Sequence, residues 1–450
     1  MDLIKTIAQK IFIPLSWHRE GFAIKPTWAA LEESQYWPKE KLLELQWKRL
    51  AHIIDEAYRY VPYYREKFDE HGIRPEDIKS PDDIKKLPIL TKQDIRENID
   101  RMISERFRGE RLIPKKTGGS TGVPLKLFWS VAATTAKKAA TMRHDAWTGY
   151  RLGEKLAILW GAEAEDATLR FKIYNKLTSR RIALDTLQMD ETTTMAFINR
   201  LRKFGAKFLF GHAHSLYIFA LFVKEHGLTD LPTESILSTA EVLTENERAE
   251  IERVLQAPLF DRYGCEELSI VASECEAHEG MHLHAEGLWV ETDGADETTP
   301  ADLIITDLTN EAMPLIRYRL EDMATVLKGD CPCGRTLPRL GKLYGRHTDF
   351  LYTPDGRMLS GISIMVNLAI EIPGIWQVQV VQDKLDHLLF RIVKTDKFGE
   401  YSLKQLAEAV PQFFGRGMTY DVEYVPELSR TPRGKYQFSI CQIDKPGRMI

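Results

Sequence analysis

Two kinds of residue along this chain could do chemistry: a glycine-rich polar turn early on, and a scatter of carboxylates, thiols, histidines and one late lysine. The turn is Lys116-Thr117-Gly118-Gly119-Ser120-Thr121-Gly122-Val123-Pro124. Glycines permit backbone angles that aim successive N–H groups at one point, and the Ser and Thr hydroxyls add donors beside them. Such a nest suits a phosphate. It is not the common NTPase loop, which ends in Gly-Lys-Ser/Thr, because Val123-Pro124 follows Gly122. By itself the same segment serves equally well as a mobile surface linker.

The other residues occur in short clusters: Tyr263-Gly264-Cys265-Glu266-Glu267, Pro314-Leu315-Ile316-Arg317-Tyr318-Arg319-Leu320-Glu321-Asp322, Gly345-Arg346-His347-Thr348-Asp349 and Arg430-Thr431-Pro432-Arg433-Gly434-Lys435. Taken singly, each has an ordinary reading. Tyr263-Gly264 can be a strand corner, and Glu266-Glu267 the solvated start of a helix. Asp322 and Arg317 can pair on the surface. Lys435 can be an exposed turn lysine. Cysteines come as Cys331-Pro332-Cys333, with Cys275, His278, His282 and His284 upstream. The Cys-x-Cys spacing is tighter than in most zinc knuckles, and buried thiols or a disulfide are the alternatives.

Elements must position these groups. With 450 residues, 44% of them apolar, the chain can bury a large core and form about two to four domains. Its 61 basic and 65 acidic side chains leave a net charge of −4, so no overall basic field favours nucleic acid. No apolar run reaches the length of a membrane span; Leu216 to Val223 reads as part of a buried helix. At the N-terminus Leu3, Ile7 and Ile11 lie four apart with Lys5 and Lys10 between. That segment could rest on a membrane surface, but an amphipathic helix docked on its own protein is the expectation. It lacks the features of a secretory signal. Five cysteines do not form a disulfide framework, so a cytoplasmic chain with reduced thiols is expected.

Residues 30–110 read as helical, with Leu42, Leu45, Leu50, Ile53, Ile54 and Ala57 as an apolar stripe ending near Pro62. Ser80-Pro81 and Leu90-Thr91 read as capped helix starts. From about 125 strands and helices alternate: strands at 125–129, 155–160, 208–211 and 235–239, helices at 132–147, 215–225 and 245–255. This predicts an α/β core with parallel pairing, whose ligands collect at the carboxyl ends of strands. The last hundred residues predict a compact α+β module: strands at 376–381, 387–393 and 418–425, with a helix at 402–414. The boundary is set near Tyr344-Gly345-Arg346, giving a large domain of 1–344 and a small one of 345–450.

In order and spacing, the glycine-rich turn, the Tyr263 cluster, Ile305-Thr306-Asp307, the Asp322 cluster, the Arg346 cluster and the Lys435 cluster resemble the adenylate-forming superfamily. Arg59-Tyr60-Val61-Pro62-Tyr63-Tyr64-Arg65 and Leu87-Pro88-Ile89-Leu90-Thr91-Lys92 are similar to its branch of phenylacetate–CoA ligases and CapK-type capsule-biosynthesis proteins. The resemblance spans about 40–440. It implies a large AMP-binding domain with mixed and parallel sheets flanked by helices, followed by a small mobile α+β domain. It further implies that a carboxylate attacks the α-phosphate of ATP and that the acyl group then passes to coenzyme A. An amine or sugar acceptor and a non-catalytic nucleotide-binding protein are the alternatives.

The resemblance also implies residue roles. Thr117, Gly118, Gly119, Ser120, Thr121 and Gly122 would hold the β,γ-phosphates. Tyr263, followed by Gly264, would stack on adenine. Asp322 would accept the ribose hydroxyls, a task for two acceptor oxygens. Glu267 would meet Mg²⁺, Arg346 would approach the phosphate or ribose, and Lys435 would bridge the substrate carboxylate and the α-phosphate. Trp160, Gly161, His212 and His214 fall at strand ends where the acid should bind, although backbone groups could equally satisfy the histidines. A structural Zn²⁺ on Cys275, His282, Cys331 and Cys333 follows from relatives with matching cysteines and histidine; His278 is the rival ligand. Several positions depart from the family pattern, among them Leu320-Glu321 before Asp322, where a small or basic residue is common. Gly118 stands in place of a common Ser, Glu266 in place of a phosphate-contacting Thr, and Lys126 lies too far beyond Pro124 for a direct role. Homodimerisation is a family expectation that the sequence does not itself display.

Overall fold

The computed structural model describes residues 2–116, 125–160, 168–186, 189–346, 350–355, 358–360, 372–428 and 439–443. The chain divides into two compact units. One holds Met1–Ala240 and Arg248–Leu343, the other Glu241–Glu247 and Tyr344–Ile450.

The first unit begins with α1 (Leu3–Ile7), a π-helical turn over Ala8–Phe12 and α2 (Ile13–Glu20), which ends at Gly21 with φ 78°. This N-terminal helix docks on its own unit, but of its apolar row only Ile7 is partly buried. Ala8 and Ile13 are buried, whereas Leu3, Ile11 and Leu15 are 69%, 54% and 60% exposed. Then come α3 (Ile24–Ser34), α4 (Lys39–Tyr60) and α5 (Pro62–Glu70). Leu42, Leu50, Ile53, Ile54 and Ala57 line the buried face of α4. Pro62 stops that helix and starts the next, since its fixed φ suits a first helical position. Ser80-Pro81 opens only a 3₁₀ segment, Pro81–Lys86, in which the Asp83 carboxylate accepts from the Ser80 amide. Thr91 caps α6 (Lys92–Asn98).

The predicted strand near 125–129 is real but leaves the alternating pattern. It pairs with β1 (Ile113–Lys116) as β2 (Lys126–Trp129), a separate antiparallel hairpin. Lys116 faces Lys126 in its register, so both ends of the glycine-rich segment are pinned side by side. The turn itself lies outside the described residues.

Next in chain order are α7 (Val131–Trp147), β3 (Leu156–Trp160), α8 (Leu169–Leu177), β4 (Arg181–Asp185), α9 (Glu191–Phe204), β5 (Phe208–His212), α10 (Ala213–Glu225), β6 (Ser235–Thr239), α11 (Glu245–Leu255) and β7 (Leu259–Cys265). Then come β8 (Ser269–Glu274), β9 (Met281–Leu283), β10 (Leu288–Glu291), β11 (Ala301–Asp307), β12 (Tyr318–Leu327) and β13 (Arg339–Arg346). One sheet of eleven strands has the order β10-β11-β12-β13-β9-β8-β7-β6-β5-β3-β4. Strands β4, β3, β5, β6 and β7 pair in parallel. From β7 onward the recorded pairings are antiparallel. The helical crossovers make the parallel half possible, and its buried Val/Ile/Leu-type residues pack on both faces. Leu216, Phe219, Ala220 and Val223 of α10 are buried, as the apolar run 216–223 requires.

The second unit has a small hairpin, β14 (Phe350–Tyr352) with β15 (Met358–Ser360). Its main sheet contains β16 (Ile375–Lys384), β17 (His387–Lys394), β18 (Thr419–Tyr424) and β19 (Ser439–Cys441), in the order β18-β17-β16-β19. The helix α12 (Glu400–Phe414) buries Leu406, Val410 and Phe414 in the same core as Val378, Val380, Phe390 and Ile392. The two halves of the chain are thus an α/β unit with a large mixed sheet and a smaller α+β unit, the fold class read from the sequence.

Candidate active site

Strands β3 and β5 are neighbours, and their carboxyl ends carry Trp160 and His212. The two rings lie 4.0 Å apart, and Trp160 also stacks on Phe210 at 5.5 Å. Both His212 and His214 are buried. Arg262, on β7, sits over the Phe210 ring at 4.7 Å and pairs with Asp145 at 2.7 Å. This end of the parallel strands therefore has an aromatic wall backed by a compensated charge. Gly161 lies outside the described residues.

Strand β7 ends in the Tyr263 cluster. A β-bulge interrupts its pairing with β8 between Tyr263 and Gly264. A Cβ on Gly264 would come within 2.5 Å of the Ser269 carbonyl oxygen, so only glycine fits this close approach. The bulge re-aims the Tyr263 side chain, and its hydroxyl donates to Asp322 Oδ2 at 2.6 Å. Glu266 and Glu267 begin the turn to β8, not a helix. Glu266 is exposed. Glu267 is buried, and its Oε1 accepts from the Tyr318 hydroxyl at 3.1 Å. Burial, followed by the Glu267 charge, raises the Tyr318 pKa, so its hydroxyl stays protonated and remains a donor.

The segment before Asp322 is held by charge. Arg317 does not pair with Asp322. It is buried against Glu291, with contacts of 2.9 to 3.1 Å, and donates to the Lys85 carbonyl at 3.0 Å. Arg317 and Glu321 adopt left-handed backbone angles, φ 51° and 71°, and Glu321 is ion-paired with Lys92. Such angles in non-glycine residues are sparsely populated and persist where surroundings enforce them. Behind the Glu267 turn, Lys137 of α7 is buried with its ammonium 2.7 Å from Asp307 Oδ2 and 3.0 Å from the Leu268 carbonyl oxygen. Neither Tyr318 nor Lys137 stood out in the sequence: Tyr318 looks like strand interior, and a helix lysine looks solvent-facing.

Of the remaining residues, Arg346 is the last residue of β13. Thr117, Gly118, Gly119, Ser120, Thr121, Gly122 and Lys435 lie outside the described residues.

A second cluster joins Cys275, His282, Cys331 and Cys333, whose ligand atoms all lie within 4.8 Å of one another. Cys275 Sγ is 3.7 Å from Cys331 Sγ, and Cys333 Sγ is 3.3 Å from His282 Nε2. No disulfide joins these residues, for Cys275, Cys331 and Cys333 are all free thiols. His282 Nδ1 contacts the Leu337 carbonyl at 3.0 Å, which turns Nε2 toward the sulfurs. Burial lowers the His282 pKa to about 4, keeping it neutral, the form that ligates a metal. His278 contacts Glu274 at 3.2 Å, and His284 belongs to a buried group with Arg143 and Glu286. A closed set of three sulfurs and one imidazole fits a tetrahedral structural Zn²⁺.

The comparisons with known proteins agree with this architecture. The CapK C-terminal domain family matches residues 351–442. The chain is 24% identical to the protein CapK of Staphylococcus aureus over 412 residues, covering 89% of this chain and 90% of that one. It is 28% identical to the phenylacetate–coenzyme A ligase of Thermus thermophilus over 343 residues, 70% and 72% of the two chains. Among solved structures, 2-hydroxyisobutyryl-CoA ligase in the postadenylation state with 2-HIB-AMP superimposes with a TM-score of 0.72 at 20% identity, covering 91% of this chain and 93% of that one. The fold is therefore that of the adenylate-forming ligases. The chain's sequence relatives include phenylacetate–coenzyme A ligases and CapK.

Proposed function

We propose that this protein is an AMP-forming ligase that activates a small carboxylic acid with ATP. The observation that carries this reading is the Tyr263–Asp322 contact beside the buried Glu267, on a fold shared with enzymes that hold acyl-adenylates. Asp322 would take the ribose hydroxyls and Tyr263 the adenine face. Glu267, already oriented by Tyr318, offers a hard oxygen ligand for the Mg²⁺ that neutralises phosphate charge. Thr117 to Gly122 would receive the β,γ-phosphates, with Arg346 near the phosphate or ribose and Lys435 at the α-phosphate. A substrate carboxyl oxygen attacks that phosphorus and pyrophosphate leaves. The aromatic end formed by Trp160 and His212 would face the acid, with Gly161 and His214 beside it.

In the second half-reaction, a thiol of coenzyme A attacks the acyl carbon and AMP leaves. Movement of the C-terminal domain, residues 345–450, about the segment near 345–349 would exchange Lys435 for a thiol-binding face. Cys275, His282, Cys331 and Cys333 would bind a Zn²⁺ that clips the 331–333 loop to the sheet and has no catalytic part. Reduced thiols and the nucleotide chemistry suit the cytoplasm.

The match to the CapK C-terminal domain favours a second reading for the acceptor: an amine or sugar in place of coenzyme A. Pyrophosphate release, screened over aryl, fatty, hydroxy and amino acids with Mg²⁺ and ATP, tests the activation step. One acid class should stimulate release and yield AMP. Failure of every class to do so, with ATP still bound, would leave a nucleotide-binding protein without this activity. Parallel reactions with coenzyme A and with amino sugars then identify the acceptor.

A further inference from the structure

We propose that the outer face of the N-terminal helix, together with α8, is a docking surface for an anionic lipid bilayer. The inner side of this helix is firmly held. Ala8 and Ile13 are buried, Gln9 donates to the Leu152 carbonyl at 2.8 Å, Lys5 pairs with Glu154, and Asp2 pairs with Arg180. Its apolar row faces the other way. In an α-helix a step of four residues overshoots one turn, while a π-helical turn is wider and undershoots it. The π turn at Ala8–Phe12 limits the drift of this row, in which Leu3, Ile11 and Leu15 are exposed and Ile7 is half-buried.

Helix α1 packs against α8, which presents Ile173 and Tyr174 at 51% and 53% exposure. Among the described residues of the first unit, seven large apolar side chains are exposed, and five of them are these. Concentration on helices that are continuous or in contact, rather than scattered exposure, is what marks an interaction face.

Charge selects the occupant. Among the described residues, Asp2 is paired with Arg180, Glu154 with Lys5 and Glu20 with Arg111. Lys10, Arg19 and Lys176 are exposed, and none takes part in an ion pair among the described residues. A shallow apolar row bordered by exposed cations and a tyrosine matches the headgroup boundary of an anionic bilayer. No helix of the described residues is long and apolar enough to cross a membrane, so the contact is with the surface.

The test is co-sedimentation of the full chain with vesicles of phosphatidylglycerol and phosphatidylcholine, against phosphatidylcholine alone. The wild type should bind the anionic vesicles roughly tenfold more tightly, and added salt should weaken the binding. Leu3→Ser/Ile11→Ser/Leu15→Ser should abolish binding. Lys10→Glu/Lys176→Glu should remove the preference for phosphatidylglycerol. All five side chains are exposed, so thermal unfolding should be unchanged in both variants. Absence of wild-type binding, or equal binding by the triple-serine variant, overturns the proposal. So does a wild-type dimer that the triple-serine change converts to monomer without any vesicle binding, because a second copy would then be the occupant.

Discussion

The Tyr263 hydroxyl donates to Asp322 Oδ2 at 2.6 Å, joining residues 59 positions apart. Their strands are not neighbours: β13, β9 and β8 lie between them in the sheet order. The antiparallel half must curl to bring them together. This contact orients a carboxylate that the proposed reaction needs for the ribose. Tyr263→Phe keeps the ring and loses the hydrogen bond, so KM for ATP should rise about fivefold, the equivalent of about 1 kcal/mol. Asp322→Ala should cost roughly a hundredfold in kcat/KM for ATP. Steady-state kinetics at varied ATP check both. A Tyr263→Phe enzyme weaker than Asp322→Ala would contradict the assignment.

Lys137 and Asp307 form a buried ion pair behind the Glu267 turn, and Lys137 also holds the Leu268 carbonyl. Removing one partner of such a pair strands a buried charge, at a cost of about 3–5 kcal/mol. Lys137→Met should therefore lower unfolding free energy by that amount in a denaturant titration. A loss below about 1 kcal/mol would mean that water or another cation reaches Asp307.

The Cys275, His282, Cys331 and Cys333 cluster predicts stoichiometric zinc in protein purified without chelator. Stripping it with a strong chelator should lower the thermal midpoint, and Cys331→Ser/Cys333→Ser should abolish metal content. Metal-free protein with an unchanged midpoint would contradict the site. Four ligands leave no open position, so added zinc beyond one equivalent should not stimulate turnover.

Stability should also depend on pH through Asp261. Burial pushes its carboxyl up to about 7, with the Glu274 charge adding to the effect and the Ser238 hydroxyl, at 2.6 Å, opposing it. Unfolded, the group titrates near about 3.9. Between about pH 4 and about pH 7 the folded chain holds a proton that the unfolded chain releases. Its contribution is complete below that window and is lost as pH rises through it. Thermal midpoints of wild type and Asp261→Asn, measured across this range, should diverge as pH rises, with the variant the more stable at pH 8. Parallel curves would refute the assignment.

The sequence displayed the alternating strands and helices from 156 onward because buried parallel strands are continuous apolar runs. It did not display β4 and its flanking helices: Arg181 to Asp185 is short, with charge at both ends. The outward apolar row at the N-terminus was equally hidden, since periodicity marks an apolar face without saying which way it points. At the site, Tyr263, Glu267 and Asp322 could be picked by motif, but Tyr318 and Lys137 become visible only through contacts across 51 and 131 residues. Spacing could not choose between His278 and His282. In the structure His282, not His278, lies with the three cysteines, because β9 pairs with β13 and His282 faces Arg339, close along the chain to the Cys331 and Cys333 loop.

The central claim is that a carboxyl oxygen of the substrate attacks the α-phosphate of ATP. The direct measurement uses the best acid from the pyrophosphate screen, labelled with ¹⁸O in its carboxylate, and mass spectrometry of the nucleotide product. Attack at phosphorus carries one substrate oxygen into AMP, so labelled AMP is expected, and Lys435→Ala should suppress its formation. Unlabelled AMP, or ADP as the product, would contradict the account.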